Sequence, residues 1–212
     1  MSLHATFAAA LLTLLSVVGL ADETEKAAKK PTFNFESDRP GQSAQGFTAA
    51  VGTWRVVETS QGKALAQTAE NPDDTFNVIL ADAPKAKDLD LSVKFKAISG
   101  KNDQGGGLVW RARDAKNYYV ARFNPLENNF RVYKVVEGKR SLFQSAEVKL
   151  SEGSHTLRVV MAGAKITCEL DGKRWLEVED STFSEAGKIG LWTKSDARTE
   201  FDDLTLSELA KP

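Results

Sequence analysis

Leu89-Asp90-Leu91-Ser92-Val93-Lys94-Phe95-Lys96-Ala97 alternates apolar and polar residues over its whole length. A period of two puts Leu89, Leu91, Val93 and Phe95 on one side of an extended chain and Asp90, Ser92, Lys94 and Lys96 on the other. That is the mark of a half-buried antiparallel strand. Runs of the same kind follow at residues 107–113, 118–123, 130–136, 142–148, 156–161, 165–170, 175–178, 189–193 and 201–206, and precede it at 32–35, 54–57, 64–67 and 76–80. Turn residues separate them: Asp171-Gly172 is a two-residue hairpin signal, because both residues tolerate positive φ, and Glu137-Gly138-Lys139 and Gly163 mark further reversals. No segment sustains a helical stripe and no internal repeat is present, so a propeller is excluded. Many short strands without helices between them predict an all-β fold, an antiparallel two-sheet β-sandwich.

The charge is nearly balanced, with 28 Lys and Arg against 29 Asp and Glu. This argues against a nucleic-acid partner bound by bulk electrostatics. The single cysteine, Cys168, cannot form an internal disulfide and sits in the alternating stretch 164–170, where a thiol acts as a small buried hydrophobe. As a nucleophile it would need a histidine; apart from His4 only His155 is available, and nothing local links the two.

Residues 1–21 contain no Lys, Arg, Asp or Glu, residues 7–18 are almost wholly apolar, and Asp22-Glu23-Thr24-Glu25-Lys26 follows abruptly. This reads as a signal peptide cut after Ala21, with an uncleaved anchor as the alternative, since the run is close to the lower end of the about 17–25 residues that span a bilayer. The n-region carries His4 but no Lys or Arg, and no Cys follows to bear a lipid. Residues 22–31 are polar and read as a flexible tether. Residues 32–209 are then one domain, long enough for a two-layer core. A periplasmic or extracellular protein is expected, with no membrane contact beyond the leader.

Three segments carry a family likeness: Gly106-Gly107-Leu108-Val109-Trp110-Arg111 with Asn117-Tyr118-Tyr119-Val120-Ala121-Arg122; Phe130-Arg131-Val132-Tyr133-Lys134-Val135-Val136-Glu137-Gly138; and Gly187-Lys188-Ile189-Gly190-Leu191-Trp192-Thr193 with Phe201-Asp202-Asp203-Leu204. Together, over residues 33–206, the chain resembles the concanavalin A-like lectin/glucanase jelly roll, and within it the bacterial exported domains grouped as 3-keto-disaccharide hydrolase-like. The resemblance implies a sandwich with saccharides lying on the curved outer surface of one sheet. That fold hosts lectins, glycosidases and inert modules, so function is argued from the site.

Alternation sorts the faces. If the strands at 107–113, 118–123 and 130–136 are consecutive hairpin neighbours, one surface gathers Arg111, Arg113, Tyr118, Arg122, Arg131 and Tyr133, while Leu108, Trp110, Phe123, Phe130 and Val132 belong to the core. Guanidinium groups suit the hydroxyls of a pyranose and aromatic rings suit its C–H face; the same set suits a carboxylate or sulfate. The plainer alternative is a solvated face whose arginine stems cover tyrosine rings. Trp54 and Trp192 are assigned to the core, and Lys194 to the rim.

A retaining glucanase on this fold needs carboxylates about 5–5.5 Å apart, as in a Glu-x-Asp-x-Glu strand. Glu169-Leu170-Asp171 lacks the third acid, and Glu177-Val178-Glu179-Asp180 runs into a loop. The family's name implies hydrolysis, but no matched residue supplies it. In related sugar-binding jelly rolls the first and last strands share a structural calcium; Glu36, Asp38 and Asp202 are the acids placed for it here, against a reading of ordinary turn and edge acids. No other cofactor is required. A saccharide or other glycan is the expected partner of a monomer. The competing functions are a glycoside hydrolase acting on (3-keto-)disaccharides and a laminin G-like structural or protein-interaction domain.

Overall fold

The computed structural model describes Met1 and residues 32–209. The expected tether, and the expected leader beyond Met1, lie outside the described residues. Numbered in chain order, the strands form two antiparallel sheets, and no helix occurs among the described residues. The first sheet runs β13 (Lys173–Glu179), β12 (Lys165–Leu170), β11 (Ser154–Ala162), β6 (Leu89–Ser99), β15 (Arg198–Glu208), β4 (Gly62–Gln67), β3 (Trp54–Thr59), with β1 (Thr32–Phe33) also paired to β15. The second runs β10 (Lys139–Glu147), β9 (Asn129–Val136), β8 (Asn117–Asn124), β7 (Gly106–Asp114), β14 (Gly187–Lys194), β5 (Phe76–Ala86), β2 (Phe47–Val51). Of these strands β2 alone was not expected: Phe47-Thr48-Ala49-Ala50-Val51 buries fully only Phe47 and offers little alternation to read.

The opening stretch is β6, in the middle of the first sheet. Leu89, Leu91, Val93 and Phe95 are buried against the second sheet, each worth about 1.5–3 kcal/mol when taken from water. Its other face carries Asp90, Ser92, Lys94 and Lys96, so one face of the first sheet is polar. Hairpins close as the turn residues predict: Glu137 and Gly138 have φ of 52° and 79°, Asp171 and Gly172 52° and 75°, the left-handed pairs a two-residue turn demands.

The second sheet is apolar on both faces. Inward, Leu108, Trp110, Tyr119, Ala121, Phe123, Phe130 and Val132 join the main core. Outward, Val78, Val109, Tyr118, Val120, Tyr133, Val135 and Trp192 form a second buried cluster. Among the described residues no further layer covers them; the sheet covers itself. The Arg140 guanidinium of β10 lies 5.0 Å from the Phe76 ring of β5, five places away across the sheet. Flat, those strands would be about 24 Å apart. Two side chains bridge that span only if the sheet curls into a trough.

A bulge in β7 corrects the expected faces. The pairing of β7 with β8 slips between Trp110 and Asp114, and Arg111 takes φ 46° there. Past the slip Ala112 points outward with the second cluster. Arg111 turns to the end of the sandwich instead, where it donates to the carbonyls of Lys87 (2.7 Å), Phe183 (2.9 Å) and Gly163 (2.8 Å) and to Asp88 (3.2 Å). Gly187 lies against the bulge because a Cβ there would collide with the Arg111 backbone. Arg113 stacks over the Phe183 ring at 5.2 Å.

Arg111 is therefore a pin holding three loops to one strand. Replacing it with Met takes the donor from three carbonyls and the ion pair from Asp88, which keeps only the Gly163 N–H (2.7 Å), and is expected to cost about 3–5 kcal/mol. In urea unfolding the midpoint should drop with an unchanged slope; a loss below about 1 kcal/mol would refute this role.

Candidate functional site

The trough is floored by Trp192 of β14, whose indole N–H donates to the Tyr118 hydroxyl at 3.2 Å. Both are fully buried, and burial pushes the Tyr118 hydroxyl far up from its ordinary pKa. Gly107 of β7 lies between Trp192 and Arg122 in register. A Cβ there would come within 2.7 Å of the Ala121 carbonyl and 2.9 Å of Arg122 Cβ, so the strand can pack this tightly only as glycine.

Over this floor stand Arg122 and Asn124 of β8, Tyr133 of β9, Arg140 of β10 and Asp103 from the loop before β7. Arg122 donates to Asn129 Oδ1 (2.9 Å) and Glu127 (2.7 Å), and reaches the Tyr133 hydroxyl at the 3.5 Å limit. Burial presses its pKa down, but Tyr133, Glu127 and Asp103 outweigh that and hold it above the ordinary arginine value. Glu127 meets the converse balance: burial raises its pKa, while hydrogen bonds from Arg122 and Asn129 bring it down to about 2. Asp103 is 1% exposed; its Oδ1 accepts the Gly105 N–H, and burial raises its pKa despite the attraction of Arg122. The Arg140 guanidinium lies over three rings, Tyr133 at 4.4 Å, Phe76 at 5.0 Å and Trp192 at 5.7 Å. Lys194 pairs with Asp73 at 2.8 Å on the rim.

Among the described residues, three buried side-chain polar atoms lack a hydrogen-bond partner: Arg122 Nε, Asn124 Nδ2 and Arg140 Nη1. All three are donors and all three belong to this trough. Buried donors left unpaired cost about 1–3 kcal/mol each, so three together single this trough out as the candidate site.

Of the six residues expected on this face, Tyr118, Arg122, Arg131 and Tyr133 lie on it. Tyr118 serves as floor, and Arg131 stands at the edge, bonded to Ser145 (3.1 Å) and to Glu127 (3.5 Å). Arg111 and Arg113 do not, because of the bulge. Asp103, Asn124, Glu127 and Arg140 were not expected. Asn124 continues the alternation of Tyr118, Val120 and Arg122 one step past the expected end of its strand, and Arg140 precedes the expected start of its own.

A second concavity, of about 540 Å³, opens on the polar face of the first sheet, lined by Glu36, Lys94, Glu200, Asp202 and Asp203 among others. Several of its polar groups are paired within the protein: Lys94 with Asp203 (2.7 Å), the Lys63 N–H with Glu36 (2.8 Å) and the Asp203 N–H with Asp202 (2.7 Å). Glu36 and Asp202 border this cleft, but the Asp38 carboxylate turns away to accept the Gln45 N–H at 3.3 Å. The three acids assigned to calcium thus do not converge, and no cluster of three or more His, Cys, Asp or Glu fit for a metal occurs among the described residues. Cys168 is fully buried, its thiol pKa pushed far up, while His155 bonds Asp171 and the Ser151 carbonyl. Glu169 is paired with Arg158 at 2.8 Å.

No family model matches the chain and no curated protein matches it. Solved structures do. The carbohydrate-binding module CBM66 from Bacillus subtilis superposes with a TM-score of 0.66 at 24% identity, over 77% of this chain and 96% of that one. The fold is a concanavalin A-like jelly roll. The β-glucanase of Bacillus licheniformis matches with a TM-score of 0.60 at 12% identity, over 87% of this chain and all (100%) of its own. A Bacillus subtilis protein of unknown function with a galectin-like fold gives 0.57 at 10% identity, over 78% and 90%.

The burial of Asp103 has a cost that can be read directly. Its folded pKa lies above its ordinary 3.8, so at neutral pH its charge destabilises the fold, and that penalty disappears as pH falls through the raised value. Asp103→Asn keeps an acceptor for the Gly105 N–H. It should raise the melting temperature at pH 7, with the gain vanishing below about pH 3.8. A lower melting temperature at pH 7 would contradict this.

Proposed function

We propose that this chain is an exported, non-catalytic saccharide-binding module whose site is the trough of the second sheet, formed by Asp103, Arg122, Asn124, Tyr133 and Arg140. The observation that carries the reading is the convergence of the three unpaired buried donors on one trough. Hydroxyl oxygens are the acceptors such donors match, the Asp103 carboxyl supplies an acceptor for a hydroxyl proton, and Tyr118, Tyr133 and Trp192 give the aromatic floor beneath these few polar groups. The jelly roll shared with a carbohydrate-binding module agrees with this. Export rests on the apolar, uncharged stretch of residues 1–21.

Binding is favoured over hydrolysis because Glu127 is held ionised by Arg122 and Asn129 and so is a poor proton donor, while the Glu-x-Asp-x-Glu pattern is missing. The resemblance to the 3-keto-disaccharide hydrolase-like domains is the basis for testing turnover as well. Affinity gel electrophoresis over a polysaccharide panel should retard the wild-type protein on at least one glycan. The Arg122→Met/Asp103→Asn variant, folded by circular dichroism, should lose at least about tenfold in affinity, as removal of charged hydrogen-bonding groups implies. Undiminished binding by the variant would move the site elsewhere, and turnover of a 3-keto-glucoside by the purified protein would make it an enzyme.

A further inference from the structure

Every cation of the trough but one is matched. Arg122 has Glu127 at 2.7 Å, Arg131 shares Glu127 at 3.5 Å, and Lys194 has Asp73 at 2.8 Å. The Arg140 side chain, among the described residues, makes neither an ion pair nor a hydrogen bond; rings alone hold it. Its guanidinium lies over the Tyr133, Phe76 and Trp192 rings, a contact worth most when water is excluded. Ring contacts supply no oxygen partner for its N–H fork, the group that grips an oxyanion by two parallel bonds. Nη1 of that fork is buried and unpaired. The facing carboxylates form no ion pair with it: Glu127 Oε2 is taken by Arg122, Asn129 and Arg131, and Asp103 Oδ1 by the Gly105 N–H.

Given that the trough binds a saccharide, we infer that its ligand is an acidic one, whose carboxylate or sulfate docks on the caged Arg140 guanidinium while Arg122 Nε and Asn124 Nδ2 take neighbouring oxygens. A neutral sugar would offer the fork hydroxyls alone, whereas an oxyanion matches it with two parallel charge-assisted bonds.

The test rests on matched probes measured by affinity electrophoresis and titration calorimetry. These are polygalacturonate beside its fully methyl-esterified form, and dextran sulfate beside dextran; the first pair reports a carboxylate and the second a sulfate. Wild-type protein should bind the charged member of one pair at least tenfold more tightly than its neutral counterpart. Arg140→Met should weaken that binding about ten- to a hundredfold and abolish the preference, the range expected for a charge-assisted pair. Arg140→Lys should restore only part, because an ammonium keeps the charge and loses the fork. Both variants are checked for an unchanged melting temperature, and Arg140→Gln replaces Met if the apolar side chain unfolds the protein. Equal affinity for neutral and charged probes, or a preference that survives in Arg140→Met, overturns the acidic ligand while leaving saccharide binding standing. No retention by any charged or neutral glycan overturns both.

Discussion

The architecture depends on a sheet that is apolar on both faces and has a partner for only one. The first sheet solves the usual problem, burying one face and hydrating the other. The second cannot: Val78, Val109, Val120, Val135 and Trp192 face away from the core and are fully buried nonetheless. With no third layer among the described residues, the sheet curls until long side chains from its outer strands meet over the middle. Arg140 reaching the Phe76 ring is the visible end of that closure.

This closure gives the fold its candidate site. The groups that seal an apolar trough from its rim must be long and partly polar, which favours arginine and tyrosine, whose stems and rings cover carbon while their tips stay polar. Once buried, those tips are either paired among themselves or held for something else. Arg122 is largely paired; Arg140 is stacked on three rings and otherwise free. The raised pKa of Asp103 belongs to the same economy, a carboxyl held at a stability cost where charge is unfavourable. In the binding role proposed for this trough, stability and binding oppose one another, as they do where sites are preorganised.

Alternation made most of the fold legible. Leu89 to Phe95, Tyr118 to Arg122 and Arg131 to Val135 sort their faces as a period of two requires, and the turns at Glu137-Gly138 and Asp171-Gly172 fall where left-handed residues allow. Alternation fails where the period breaks. The slip at Arg111 sends two arginines off the face they seemed to share, and nothing in Trp110-Arg111-Ala112-Arg113 announces it, because each residue type is at home on either side of a bulge. Asp103 lies in a glycine-rich loop that reads as mere flexibility, and its part in the site comes only from the fold that brings it beside Arg122. Arg140 could be placed on the outward face by its pairing with Val135, but its cage depends on curvature, which a one-dimensional pattern does not carry. The expected calcium acids fail for a related reason: nearness of strands does not fix where a carboxylate points, and Asp38 points to Gln45.

In the proposed function the trough of the second sheet, not the cleft of the first, receives the ligand. Heteronuclear NMR of the isotope-labelled protein during titration with the glycan that retards it most is the direct measurement. The Nε–H signal of Arg122, the side-chain amide of Asn124 and the indole N–H of Trp192 should shift together and saturate at one equivalent. Shifts confined to the backbone around Lys94, Glu200 and Asp202, with these three signals unmoved, would contradict the account.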